Sequence, residues 1–162
     1  MNRIQERRLR KLAEHLNGDN LFQTKWDFSK LHEIIDEDDE DYSTERQNNP
    51  CGTVGCAIGE VPFLFNKEER ISFNSIGEIV FNDYEYSDIV SFAIEFFGLT
   101  NLTASILFLP LGDMRHIADI YKAEAKRLGL DILNSSASKL DVAYNINALL
   151  DYYKRNNLIT EN

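Results

Sequence analysis

In the second half of the chain apolar side chains return every third or fourth residue in block after block, and glycine or proline punctuates the blocks. Ile89, Phe92, Ala93, Phe96 and Phe97 make one apolar face, with Ser87 expected as its cap and Gly98 as its stop. Leu102, Ile106 and Leu107 follow Thr100 and end before Pro110. Asp113 is expected to cap a longer helix through Met114, Ile117, Ile120, Tyr121 and Leu128, closed by Gly129. Ser138, with Asp141 three residues on, imitates a capping box ahead of Leu140, Ala143, Ile146, Leu149, Leu150 and Tyr153. This is the period of an α-helix, so the chain is directed toward short amphipathic helices that share one core.

The first half extends the pattern. Ile4, Leu9, Leu12, Ala13 and Leu16 line one side of a helix expected near residues 3 to 16, with Gly18 after it. Leu21 to Ile35 holds Phe22, Trp26, Phe28, Leu31 and Ile34 and is expected to end in a short helix. Val54, Ala57, Ile58 and Val61 have the spacing of a buried helix face that Pro62 should terminate, with Cys51, Gly52 or Thr53 at its start. Ile71-Ser72-Phe73 and Ile79-Val80-Phe81, separated by Asn74-Ser75-Ile76-Gly77, suggest a small hairpin. The expected fold is mainly α: residues 1–162 as a single helical domain of six or seven helices, with a small β-hairpin near residues 71–81. A chain of 162 residues buries about two-thirds of its unfolded surface and needs no disulfide or metal staple.

Charge narrows the function. Lys and Arg number 17 against 27 Asp and Glu, a net charge of −10, which repels nucleic-acid backbones and anionic membranes. Six of those charges sit in one run, Asp36 to Asp41, inside a polar stretch, residues 36–50, that reads as an exposed acidic loop. Two cysteines, Cys51 and Cys56, are too few for a secreted disulfide framework. Met1 to Arg8 lacks the apolar stretch of a signal peptide, and no window has the apolar length of a membrane span. The expected compartment is a cytoplasm.

Unusual residue types concentrate in one place, Cys51-Gly52-Thr53-Val54-Gly55-Cys56-Ala57-Ile58-Gly59. At a helix start, unpaired N–H groups and a partial positive charge suit a phosphate or carboxylate; Gly52 permits close approach and Thr53 adds a hydroxyl. The competing structural reading is a central helix of small residues, packed closely by its neighbours, with Thr53 as an ordinary cap. No lysine follows the last glycine, so this is not a phosphate loop. On one helix the two cysteines would diverge by about 140°, which prevents them from sharing an ion. A zinc site would need Cys51 outside the helix and two of His15, His32 and His116, and the spacings match no zinc pattern. A nucleophilic Cys51 with His32 or His116 as base is a further alternative. Arg115 and His116 offer a cation and a donor to an anionic ligand, and Trp26 a ring to stack on a base; the plain alternatives are a solvated helix start and a core tryptophan.

The C-G-T-x-x-C-A-x-G stretch, the preceding Trp26-Asp27-Phe28 and the following Phe96-Phe97-Gly98-Leu99-Thr100 and Leu107-Phe108-Leu109-Pro110 resemble a group of small proteins common in phages, prophages and bacteria. The resemblance spans roughly residues 26–110. It implies a viral accessory setting and carries over no catalytic residue. Some phage accessory proteins inhibit host immunity by sequestering nucleotide-like signals, others by blocking a host protein, sometimes through DNA mimicry.

Together these features lead to the expectation of a non-enzymatic binder, without metal or cofactor, that holds a small anionic or nucleotide-like ligand through Trp26, Cys51, Gly52, Thr53, Cys56, Arg115 and His116. The second expectation is a host-protein inhibitor acting through the acidic loop or an exposed helix face. A thiol- or metal-dependent hydrolase is the third. A homodimer is compatible with any of them.

Overall fold

The computed structural model describes residues 1–19, 57–75 and 78–161. The helix expected in Leu21–Ile35 and the acidic loop at 36–50 lie outside the described residues.

Helix α1 spans Arg3–Asn17. Asn2 starts it with a capping box, accepting from the Gln5 backbone while the Gln5 side chain accepts from Asn2 N–H. Its buried stripe is Leu9, Leu12, Ala13 and Leu16, as the spacing predicts, but Ile4, one turn from the end, is half exposed. Helix α2 covers Ala57–Glu69, so Pro62 does not end it. Proline brings no N–H to bond the Ile58 carbonyl, yet the turns beyond it are held from outside. Phe65 is buried edge-on against Phe96, and Lys11 and Arg8 of α1 bind Glu68 and Glu69.

The hairpin is one strand larger than expected. Strands β1 (Ile71–Phe73), β2 (Ile79–Phe81) and β3 (Tyr84–Tyr86) form an antiparallel sheet in that order, with Ile71 opposite Phe81 and Phe81 opposite Tyr84. Asn82 and Asp83, both at positive φ, make the two-residue turn between β2 and β3. Ile79 and Phe81 point into the core.

Helix α3 (Ile89–Phe97) is capped by Asp88 rather than Ser87: the Asp88 carboxylate accepts from Val90 and Ser91 N–H, which a hydroxyl one residue earlier does not reach. Gly98 closes it at φ 65°. Helix α4 (Asn101–Phe108) starts at Thr100. A 3-10 turn at Leu111–Asp113 follows, and helix α5 begins only at Asp119, running to Leu128 with Gly129 left-handed behind it. Asp113 is therefore not a helix cap. Its carboxylate accepts from Ser135 N–H, and Gly112 N–H donates to the Leu133 carbonyl, so the segment is taken up by a loop-to-loop contact. Helix α6 (Lys139–Arg155) has the predicted Ser138–Asp141 capping box.

The mainly α fold is as expected: six α-helices and the small sheet among the described residues. Helix α1 packs chiefly along α6 and also touches α2 and α3. The core beneath is rich in phenylalanine, with Phe65, Phe92, Phe96, Phe97 and Phe108 almost wholly buried. No single described helix is long and apolar enough to cross a membrane; α3 and α4 are jointly apolar, but they bend by 116° and bury those side chains.

Candidate functional site

Three side chains on one stripe of α1, Arg8, Lys11 and His15, meet three acids of α2. Arg8 pairs with Glu69, Lys11 with Glu68 and His15 with Glu60, so rising numbers on α1 meet falling numbers on α2 and the helices run antiparallel. Arg8 is bidentate on Glu69, at 3.2 and 2.6 Å, donates to the Phe96 carbonyl at 2.8 Å, and lies 4.3 Å from the centre of the Phe96 ring. The hydrogen bond from Arg8 holds the Glu69 carboxyl below the usual carboxylate range, against the opposing effect of burial.

The other end of this ladder is chemically the most unusual place among the described residues. Glu60, in the first turn of α2, has no solvent exposure, and its Oε2 lies 2.6 Å from Nε2 of His15 in the last turn of α1. Sequence reasoning named His15 only as a conditional zinc ligand and passed over Glu60. The signal was present: Glu60 lies three residues after Ala57 and one before Val61, on the apolar face itself.

Arg115 and His116 are the predicted site residues that the structure does describe. They are exposed, and they stand in the irregular segment between the 3-10 turn and α5, not in a first helical turn. Neither takes part in a hydrogen bond or ion pair among the described residues, and the elements that α2 packs against chiefly are β1 and α1. The loop is anchored at its base by the Gly112–Leu133 and Asp113–Ser135 hydrogen bonds, 2.7 and 2.6 Å. Trp26, Cys51, Gly52, Thr53 and Cys56 lie outside the described residues. His15, the histidine of the conditional zinc set that has a carboxylate partner, belongs to no group of three or more metal-ligating side chains among the described residues.

Two other polar places are structural. Arg127 binds Glu124 through two nitrogens and reaches the Tyr152 hydroxyl, which joins α5 to α6; the Glu124 carboxyl is lowered by that bond, and burial pushes up the neighbouring Tyr153 phenol. An open cleft of about 240 Å³, lined by Arg3, Glu6, Tyr153, Lys154, Asn157 and Ile159, contains none of the predicted site residues. No protein-family model, curated protein or solved structure matches the chain.

Proposed function

We propose that the protein is a non-enzymatic binder of a small anionic or nucleotide-like ligand, a phage accessory protein that sequesters such a signal in the host cytoplasm. In this reading the Cys51–Cys56 stretch, with Gly52 and Thr53, offers backbone amides and a hydroxyl, Trp26 a stacking surface, and Arg115 and His116 the cationic side. The observation that supports it is the Arg115–His116 loop: an arginine and an imidazole, exposed and not engaged by any described acid in a chain of net charge −10, on a base fixed by two short hydrogen bonds. A fixed loop loses little freedom when a ligand arrives, which is how a shallow site gains affinity.

The test is a thermal-shift panel of nucleotides and inorganic phosphate. A ligand present at about 100 times its dissociation constant stabilises by about 2.7 kcal/mol, a shift of several degrees for a domain of this size. Arg115→Ala combined with His116→Ala should remove the shift without lowering the melting temperature of the ligand-less protein. A panel that moves nothing ends the proposal.

A second reading, a host-protein inhibitor or a homodimer working through a helix face, is favoured by one observation. Leu140 and Tyr144, four residues apart on α6, are 52% and 62% exposed. Tyr144→Glu should then abolish self-association in sedimentation, or capture of the host partner, and leave the fold intact. Deletion of Asp36–Asp41 separates this face from the acidic loop and its DNA-like charge.

A further inference from the structure

The small sheet ends in an edge that no described strand pairs. In the order β1-β2-β3 nothing lies beyond β3 among the described residues, and Asn82, Asp83, Tyr84, Glu85, Ser87 and Asp88 are all exposed. The hairpin turn fixes which backbone groups face outward. Phe81 and Tyr84 flank Asn82 and Asp83 and form the hydrogen-bonded pair that closes the turn, so Ile79 and Tyr86, two steps on, form the next. Glu85, between them, turns its N–H and carbonyl away from β2. The other side of the sheet agrees: Asn74 N–H donates to the Glu78 carbonyl at 3.0 Å, which puts Ser72 and Val80 in the same phase and leaves Val80 bonded to β1.

The two faces of this edge differ. Tyr84 and Tyr86 lie on the face of Phe81 and Ile79, their cross-strand partners, and Tyr86 rests edge-on against Phe92 of α3, with 5.6 Å between ring centres. Tyr84, 70% exposed, leaves its ring largely uncovered on that side. Glu85 takes the opposite face. The charge has one sign. From Ile71 to Met114 the chain holds Glu78, Asp83, Glu85, Asp88, Glu95 and Asp113 and no Lys, Arg or His. Arg8, which reaches the Phe81 ring, is committed to Glu69 and the Phe96 carbonyl, and Arg70 stands ahead of β1, at the opposite edge. Burial first, and then the Glu95 carboxylate, push up the Tyr86 phenol, so the acidic charge is felt at this edge.

We propose that β3 accepts an extended basic segment of a partner protein as a fourth strand, hydrogen-bonded to Glu85, in which Lys or Arg alternates with apolar residues. An added strand takes its affinity from main-chain hydrogen bonds and its specificity from alternate side chains. The residue opposite Glu85 shares its face and is a cation; its two neighbours turn to the other face, onto the rings of Tyr84 and Tyr86. A second copy of the chain is the wrong occupant, because antiparallel pairing centred on Glu85 sets two carboxylates directly opposite each other. The surface uses neither Arg115 and His116 nor the Leu140–Tyr144 face, and it rests on neither of the readings that do.

The probe is a fluorescein-labelled peptide, Ser-Lys-Val-Arg-Val-Lys-Ser, with Ser-Glu-Val-Glu-Val-Glu-Ser as its charge-inverted control. Anisotropy titrations of the full chain should show saturable binding of the basic peptide alone, weakened by salt, and the backbone amide signals of Tyr84 to Ser87 should move in NMR spectra. Glu85→Lys should weaken the basic peptide by at least about tenfold and admit the acidic one. Glu85→Pro, tolerated where an edge N–H faces outward, should abolish binding of both. The proposal is overturned if Glu85→Lys leaves the preference unchanged, if the amide shifts fall on Asp36–Asp41 instead, if neither peptide binds, or if sedimentation shows the parent self-associating and Glu85→Lys does not. Should Glu85→Pro fail to fold, the charge swap at the exposed Glu85 decides by itself.

Discussion

Helix α1 is held by opposite means on its two flanks. Toward α6 the contact is apolar, Leu9, Leu12, Ala13 and Leu16 meeting a helix that buries Val142, Ala143, Ile146, Leu149 and Leu150. Among the described residues the polar ties on that flank sit at the ends, where Asn2 bridges to Thr160 and Lys139 donates to the Gly18 carbonyl. Toward α2 the contact is a row of polar pairs, the ion pairs Arg8–Glu69 and Lys11–Glu68 and the His15–Glu60 hydrogen bond, and toward α3 it is Arg8 on the Phe96 carbonyl. Apolar burial is non-directional and supplies most of the energy. Buried charges supply little net energy but penalise every other arrangement, so they set direction and register. One flank stabilises α1, and the other decides how α2 is presented.

The comparison is broken most severely from the apolar side. Leu12 is wholly buried, and Leu12→Ala should cost about 3 kcal/mol in urea unfolding at neutral pH, whereas Leu12→Met should cost less than about 1.5 kcal/mol because volume is kept. Equal losses for the two would mean that shape, not burial, rules this flank.

On the polar side the largest single effect belongs to Arg8. Arg8→Met retains most of the stem over Phe96 but leaves Glu69, only 14% exposed, without its bidentate partner, and should cost about 2 kcal/mol. The effect carries a pH signature. Because Arg8 holds the Glu69 carboxyl low, the pair contributes in full above the ordinary carboxylate value of 4.5 and is lost as pH falls from there through the lowered folded value. The gap between the unfolding curves of the parent and Arg8→Met should therefore narrow steadily as pH falls below 4.5. A gap that does not narrow would assign the loss to packing on the phenylalanine ring.

The same contrast explains what the sequence could disclose. Signals that act within a few residues were legible: the α1 stripe, Gly98, Gly129 and the Ser138–Asp141 box all appear where the spacing put them. Signals that a distant segment overrides were not. Pro62 reads as a stop until Glu68 and Glu69 are seen tied to α1, and Asp113 reads as a cap until its carboxylate is seen on Ser135 N–H, twenty-two residues away. The third strand is short, three residues, and only its Asn82-Asp83 turn announced it. At the site, Arg115 and His116 were legible as neighbours but placed on the wrong element. Glu60 was passed over because an acid on an apolar face has meaning only once its partner, forty-five residues away, is known.

The smallest effects come from two glycines that share a backbone shape and differ in surroundings. Gly98 and Gly129 both end helices at positive φ, 65° and 72°. A methyl group on Gly129 meets nothing within 4 Å, so Gly129→Ala should show the left-handed strain alone, about 1 kcal/mol. A methyl group on Gly98 runs into the Gln5 side chain, which is not at liberty to move because it accepts from Asn2 N–H in the capping box of α1. Gly98→Ala should therefore add the loss of that box and reach about 1.5 kcal/mol. In the Gly98→Ala, Gln5→Ala double variant the excess should vanish, since neither clash nor box remains, and a thermal-denaturation cycle of the four proteins reads the difference. If the excess survives in the double variant, the end of α3 is strained by its backbone and not by the start of α1, and Gln5 adds no attachment to the polar flank of α1.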